Sequence, residues 1–322
     1  MLLDVRGLNV SVKVSGNPLR LLHDISFSLD SGEVFLLVGE SGCGKTTLAR
    51  ALTNLFPRGL GAVIEGTVEF EGHDLISLDA KGLKKVRRKL IRYVFQEPAA
   101  ALNPALHIRS QIRLLPLEEQ ESGNGFRKPP DEAIHQSLVV MGIKEPKDIL
   151  GSYPHQLSVG TLQRILIAMA ITSHPKLLIA DEPTSAVDAV LQYQILDLLH
   201  SYCKMQNMAL LLITHDLGIA HRYADKIAVL YAGRIVEAAA RDEFFQNPLH
   251  PYSQILLASA PTATRSLEQM PSSSGNVPSL AHLPKGCKFH PRCYKVQDDC
   301  KIQEPKLLPT GERRHVRCPY WK

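Results

Sequence analysis

The chain has 322 residues, 44% hydrophobic and 21% charged, which excludes wholesale disorder and a collagen-like or fibrous repeat. It is too long for one small domain and too short for two full-length nucleotide-binding domains, so one large α/β domain with an appendage is expected. No apolar run approaches the roughly 18–20 residues that span a bilayer. The opening MLLDVRG has an acid at Asp4 and no basic stretch before an apolar core, so no secretory signal is expected and a cytoplasmic location is.

The net charge of +5 is unevenly spread. Residues 284–322 carry ten Lys and Arg against four Asp and Glu, while the first 283 residues carry 27 and 28. The same tail holds Cys287, Cys293, Cys300 and Cys318, four of the six cysteines. In a reducing compartment such a cluster argues for metal or iron–sulfur ligation before disulfides.

In chain order, LLDVRGLNVSVKV, ISFSL, VFLLV and VIEGTVEFEG read as strands up to about residue 75, with Gly and Asp at the turns. From about 98 to 170 the pattern is helical, broken by the polar Pro/Gly loop at 116–131. Leu162, Ile165, Leu166 and Met169 recur at i, i+3, i+4 and i+7, and Leu191, Ile195, Leu198, Leu199 and Tyr202 follow a related spacing. Strands return at 177–180, 209–214 and on either side of an Ala232-Gly233 turn. Strands separated by helices imply a parallel sheet. The stretch containing PSSSGNVPS reads as a linker before the tail.

Gly39-Glu-Ser-Gly-Cys-Gly-Lys45-Thr46 fits G-x-x-x-x-G-K-[ST], between the strand VFLLV and a helix with Leu48, Leu52 and Leu55 on one face. Gly39, Gly42 and Gly44 let the backbone curl so that the N–H groups of Ser41, Cys43 and their neighbours point inward. The following helix adds its positive end, completing an anion cradle. Lys45 is expected to reach the β- and γ-phosphates, and the Thr46 hydroxyl, followed by Thr47, to ligate Mg²⁺. Cys43 is either a small residue that fits the loop or a thiol made reactive by the helix end. Farther on, the apolar strand Leu177-Leu-Ile-Ala delivers Asp181 and Glu182 at its C-terminal end. Asp181 is expected to hold Mg²⁺, and Glu182 to orient or deprotonate the attacking water.

With these two elements, Gln96 in YVFQEP, Leu157-Ser-Val-Gly-Thr161 followed by Leu-Gln-Arg164, Ser185-Ala-Val-Asp188 and His215 in LLITHD stand in an order that resembles the ATPase subunits of ABC transporters. The resemblance covers residues 1 to about 260. It implies that Gln96 is the Q-loop residue linking the catalytic core to the helical subdomain, catalytic and a ligand of Mg²⁺, that Ser158 and Gly160 in the signature contact the γ-phosphate, that Asp188 belongs to the D-loop, and that His215 is the switch histidine. It also implies a dimer in which each ATP lies between the P-loop of one subunit and the signature of the other. A nucleotide carrying about four negative charges can hold two surfaces together through N–H groups and a helix N-terminus.

Two residues depart from the family pattern. Val159 stands where Gly is usual, with Thr161 beyond it, which suits a heterodimer with a second, different ATPase whose shared site is weakened. No aromatic residue occurs in VKVSGNPLRLLHD, where relatives often stack adenine. The tail, with His250-Pro251-Tyr252 after Asn247-Pro248 and then GCKFHPRC, DDC and HVRCPYW, resembles the C-terminal extension of oligopeptide/dipeptide and nickel importer ATPases.

The spacing C-x5-C-x6-C-x17-C is looser than a zinc finger. Four thiolates also suit the [4Fe–4S] cluster that the resemblance implies for some members, and the alternatives are a cluster, zinc or no metal. His290 is a substitute ligand or part of a turn. The basic surplus offsets thiolate charge, meets anionic lipid, or faces water.

The expected fold is therefore an α/β P-loop NTPase of the ABC ATPase type with an antiparallel β subdomain, a helical subdomain and a small Cys-rich C-terminal extension. Its expected divisions are an ATPase domain over 1–260 with the helical subdomain at about 98–170, a linker over 261–283, and the extension over 284–322. The resemblance implies an ATP-hydrolysing subunit of a peptide importer at the cytoplasmic face of the inner membrane. Its partners would be two transmembrane permease subunits, a second ABC ATPase and an extracytoplasmic solute-binding protein. Alternatives are an importer of nickel, metal chelates or another solute, a regulatory partner raised by Val159, and a soluble ABC ATPase acting on nucleic acid or ribosomes. A single P-loop and the lack of sustained heptads argue against the last, so no nucleic-acid partner is expected.

Overall fold

The computed structural model describes residues 1–14, 16–57, 59–115, 118–119, 126–127, 129–259 and 277–322. Most of the expected linker at 261–283 lies outside the described residues. The chain forms two compact units, one of Met1–Leu29, Val34–Ser77 and Ile213–Lys322, the other of Asp30–Glu33 and Leu78–Leu212.

In the first unit an antiparallel sheet has the strand order Asn17–Leu29, Leu3–Val14, Val63–Phe70, His73–Asp74. Along Leu3–Val14 the buried apolar residues are Leu3 and Val5, then Leu8, Val10 and Val12. The parity changes from odd to even because the register slips between Val5 and Leu8. A bulge that adds one residue turns the later side chains back to the same face.

The strand ahead of the glycine loop, Val34–Val38, is buried at every position, as strands covered on both faces are. It pairs in parallel with Lys226–Tyr231. The chain then reverses through Ala232 and Gly233, both left-handed at φ 47 and 75, as a two-residue turn matching the strand twist requires. The next strand, Arg234–Ala240, is consequently antiparallel to Lys226–Tyr231, as strands joined by a tight turn are. The tail continues the sheet: His315–Val316 pairs with Ala238 and Glu237, and Leu308–Pro309 pairs with His315–Val316.

Part of its basic surplus turns inward, while Lys285, Lys301, Lys306, Arg313 and Lys322 are exposed. Arg317 pairs with Asp24 at 3.2 Å and donates to the Ile235 carbonyl, Arg314 pairs with Glu237 at 3.0 Å, and Arg234 of the sheet pairs with Glu304 of the tail. Glu237 is fully buried and accepts from the backbone N–H groups of Leu249 at 2.9 Å and His250 at 2.8 Å. This carboxylate therefore sets the path into the helix Pro251–Ala258. His250 caps that helix, its Nδ1 accepting from the Tyr252 N–H at 3.0 Å, while Pro251 supplies the first helical residue at no hydrogen-bond cost. Burial, with the Arg317 charge adding to it, pushes His250 down to about 3, which keeps the cap a neutral acceptor.

The second unit carries the parallel pair Ile91–Val94 and Leu177–Asp181, with Ala209–Thr214 next to the latter. Its helices include Ala80–Lys89, Asp131–Val140, Val159–Ile171 and Ala189–Gln206. Of the expected face of Ala189–Gln206, Ile195, Leu199 and Tyr202 are buried, while Leu191 and Leu198 are half-buried. In Val159–Ile171 the burial is broader than the periodicity predicts: Leu162 and Ile165 are joined by Ile167, Ala168, Ala170 and Ile171, while Leu166 and Met169 are only half-buried. A helix packed on several sides shows no single apolar stripe. Within the polar 116–131 stretch, read as loop, Glu118–Glu119 and Phe126–Arg127 form a short antiparallel ladder.

Candidate nucleotide site

The glycine loop runs from the end of Val34–Val38 into the helix Lys45–Leu52. Gly44 precedes that helix at φ 110, a conformation in which a Cβ would be strained. Gly39 is needed for another reason: a Cβ there would run into the Leu230 carbonyl and stand 2.8 Å from Cys43 Sγ. The loop is tied down from outside by the Gly233 N–H, which donates to the Cys43 carbonyl at 2.8 Å. Ser41 and Gly42 are exposed, and Thr46 and Thr47 are half-buried in the first helical turn.

Lys45 is 6% exposed, and its Nζ donates to the carbonyls of Gly39 at 2.8 Å and Glu40 at 3.1 Å. An ammonium that, among the described residues, is held by the loop's main chain is a cation ready to exchange those carbonyls for anionic oxygens. The reactive-thiol alternative for Cys43 does not survive. Burial pushes the thiol up to about 11 against the opposing pull of Lys45, so the side chain is packing.

In the second unit the fully buried strand Leu177–Asp181 presents the two carboxylates in succession. Tyr93 donates its hydroxyl to Asp181 Oδ2 at 2.8 Å, and Asp181 Oδ1 is buried with no hydrogen-bond partner among the described residues. An orphaned carboxylate oxygen costs free energy unless something occupies it, and oxygen donors suit Mg²⁺. Glu182 follows at φ 45, a left-handed backbone that is uncommon outside Gly and clusters at functional sites. Gln96 Nε2 donates to Glu182 Oε2 at 3.0 Å, so the structure brings together Gln96 and Glu182. Tyr93 was not anticipated; its alternation with Phe95 in YVFQ offered no chemical signal.

The signature residues have local duties of their own. Ser158 caps Val159–Ile171, its Oγ accepting from the Thr161 N–H at 3.2 Å and sharing a hydrogen bond with the Thr161 hydroxyl at 2.8 Å. Val159 is 45% exposed. Gly160 is buried where a Cβ would meet the Leu191 side chain. Asp188 caps Ala189–Gln206 by accepting from the Leu191 N–H at 3.0 Å. His215, in the first unit, is exposed directly after the strand Ala209–Thr214 and before Asp216, the cap of Leu217–Tyr223.

In the tail, Cys287, Cys293, Cys300 and Cys318 line one hollow together with His250 and Phe289. All four are free thiols. Burial pushes Cys287, Cys293 and Cys318 upward, and the thiolate charges of the set reinforce it. His290 Nδ1 is engaged with the Cys287 carbonyl at 2.9 Å in the turn His290–Arg292. Among the described residues no group of three or more His, Cys, Asp and Glu stands in an arrangement that could hold a metal ion. No described helix is long and apolar enough to cross a membrane.

A family model described as ABC transporter matches residues 22–185, and one described as Oligopeptide/dipeptide transporter, C-terminal region matches residues 236–300. The oligopeptide transport ATP-binding protein AppD of Bacillus subtilis (strain 168) is 37% identical over 98% of this chain and 96% of its own length. The dipeptide transport ATP-binding protein DppD of Haemophilus influenzae is 39% identical over 98% of this chain and 94% of its own. A dimeric structure of a post-hydrolysis state of the ATP-binding cassette MJ0796 bound to ADP and Pi superimposes with a TM-score of 0.65. It covers 74% of this chain and 99% of that one at 24% identity, and it establishes the mixed α/β cassette fold with its antiparallel β subdomain. The chain belongs to the ABC transporter ATP-binding proteins, in the oligopeptide/dipeptide transport family.

Proposed function

We propose that this chain hydrolyses ATP to drive import of dipeptides or oligopeptides through two membrane permease subunits, paired with a second ABC ATPase and supplied by an extracytoplasmic binding protein. The observation that carries the reading is Lys45, a buried ammonium whose hydrogen bonds among the described residues go to two carbonyls of a glycine loop. Triphosphate oxygens would accept from Lys45 Nζ in place of those carbonyls and from the N–H groups of the loop, with Ser41, Gly42, Gly44 and Thr47 around them. Glu182, oriented by Gln96, accepts a proton from the attacking water, and His215 steadies the transferred phosphoryl group. Thr46 in the first unit, and Asp181 Oδ1 and Gln96 in the second, are the groups that would hold Mg²⁺, which would supply charge neutralisation for the phosphates. Ser158 and Gly160 serve the nucleotide of the partner ATPase, and Asp188 lies at that junction. The exposed Val159 makes that shared site the weaker of the two, which fits a heterodimer at the cytoplasmic membrane face. Affinity capture of the chain from its native membrane tests this. Two polytopic membrane proteins and a second ABC ATPase are expected in fixed stoichiometry, and capture without any membrane subunit overturns the import reading.

The extension 284–322 is read as a tetrathiolate site for a [4Fe–4S] cluster. Four free thiols around one hollow provide the donor chemistry, although their ligand geometry is not preassembled, and a cluster would hold them as thiolates against the upward push of burial. Protein purified without oxygen is expected to show broad visible charge-transfer absorption that Cys300→Ser removes. Colourless protein free of iron overturns it.

A further inference from the structure

The tail reaches back to the glycine loop at Glu40, the second residue of the motif. Three polar groups of Glu40 are engaged. Its N–H donates to the Tyr252 hydroxyl at 3.1 Å, its carbonyl receives Lys45 Nζ at 3.1 Å, and its carboxylate receives both terminal nitrogens of Arg292, each at 3.1 Å. The Arg292 side chain is 7% exposed and that of Glu40 29%. The guanidinium lies 5.8 Å from the Tyr231 ring centroid and 5.9 Å from that of Phe289. Tyr231, Tyr252 and Phe289 are themselves buried and packed with centroids 4.6–5.3 Å apart. Arg292 is thus a preorganised fork, aimed by aromatic rings at a carboxylate 252 residues away in sequence.

We propose that Arg292 is a positioning residue for nucleotide binding. By pairing with Glu40 it fixes the residue whose carbonyl carries Lys45, and it cancels a negative charge within a loop that must accept a triphosphate. Without Arg292 the Glu40 carboxylate stands uncompensated on the phosphate-binding loop, and its charge opposes the approach of a triphosphate. The Tyr252 hydroxyl, the last residue of His250-Pro251-Tyr252, braces the same residue from its main chain. The extension therefore acts on ATP affinity without touching ATP.

This inference rests on the reading of residues 39–46 as the ATP site. On the full chain, Arg292→Gln is expected to weaken ATP binding about tenfold, within the usual range of coupling between sites. Adding Glu40→Gln is expected to restore affinity to within about twofold, because removing the carboxylate removes the need for its counter-charge. Unchanged affinity in Arg292→Gln overturns the inference, and so does a double variant as weak as the single, which would mean that Arg292 only holds the tail in place. Should Arg292→Gln fail to fold, Arg292→Lys carries the test. It keeps the charge and loses the fork, so a few-fold loss relieved by Glu40→Gln is expected, and no loss overturns the inference. Failure of the ATP-site reading is separable: Lys45→Ala would then leave ATP binding unchanged, whereas failure of this inference leaves Lys45→Ala effective and Arg292→Gln silent.

Discussion

Replacing Glu182 by Gln is expected to lower ATP turnover of the assembled transporter by roughly 10²–10⁴-fold, the usual contribution of a positioned general base, while nucleotide affinity stays close to that of the unaltered protein. The amide keeps the shape of the side chain but cannot take a proton. The surroundings argue for this division of labour between binding and chemistry. A strand buried along its whole length fixes Asp181 and Glu182, the backbone at Glu182 is held at φ 45, and Gln96 donates to its carboxylate at 3.0 Å. Such restraint costs stability, and orientation of a base is what the cost supplies. Turnover and equilibrium ATP binding measured side by side check the prediction. Equal losses in both would assign Glu182 to binding, and unchanged turnover would remove it from the chemistry.

What the sequence made legible was local. The glycine loop, the paired carboxylates and the Ala232-Gly233 turn are each specified within about eight residues, and their backbone demands can be met by few side chains. The strand parity along Leu3–Val14 was hidden by the slip between Val5 and Leu8, which breaks the period that reveals a buried face. Ala80–Lys89 and Ile91–Val94 escaped notice because the helix has one buried residue, Leu83, and the strand is four residues long with mixed polarity. The roles of Gly160, Ser158 and Asp188 were read through their resemblance to phosphate-binding motifs, whereas packing on Leu191 and two helix caps already account for those residue types. Least legible were contacts closed across the fold. Nothing in HPRC indicates that its Arg292 meets Glu40, and nothing in the +6 balance of the tail indicates that Arg314 and Arg317 pair with Glu237 and Asp24.

Lys45→Ala is expected to weaken ATP binding by about 2–3 kcal/mol, the loss of a hydrogen bond to a charged group, or roughly 30- to 150-fold in Kd. The surroundings of Lys45 explain why the loss falls on binding. Lys45 Nζ is already desolvated and already bonded to Gly39 and Glu40, so little of the cost of burying an ammonium remains to be met when the phosphates arrive. Alanine also leaves both carbonyls without that donor, so a modest fall in melting temperature should accompany the weaker binding. Adding saturating ATP then separates the two effects. The unaltered chain is stabilised by its ligand in proportion to the logarithm of its concentration over Kd, and the variant should show that stabilisation displaced to higher ATP by the same factor as its Kd. If ATP instead stabilises both proteins at the same concentrations, the ammonium has no part in gripping the triphosphate.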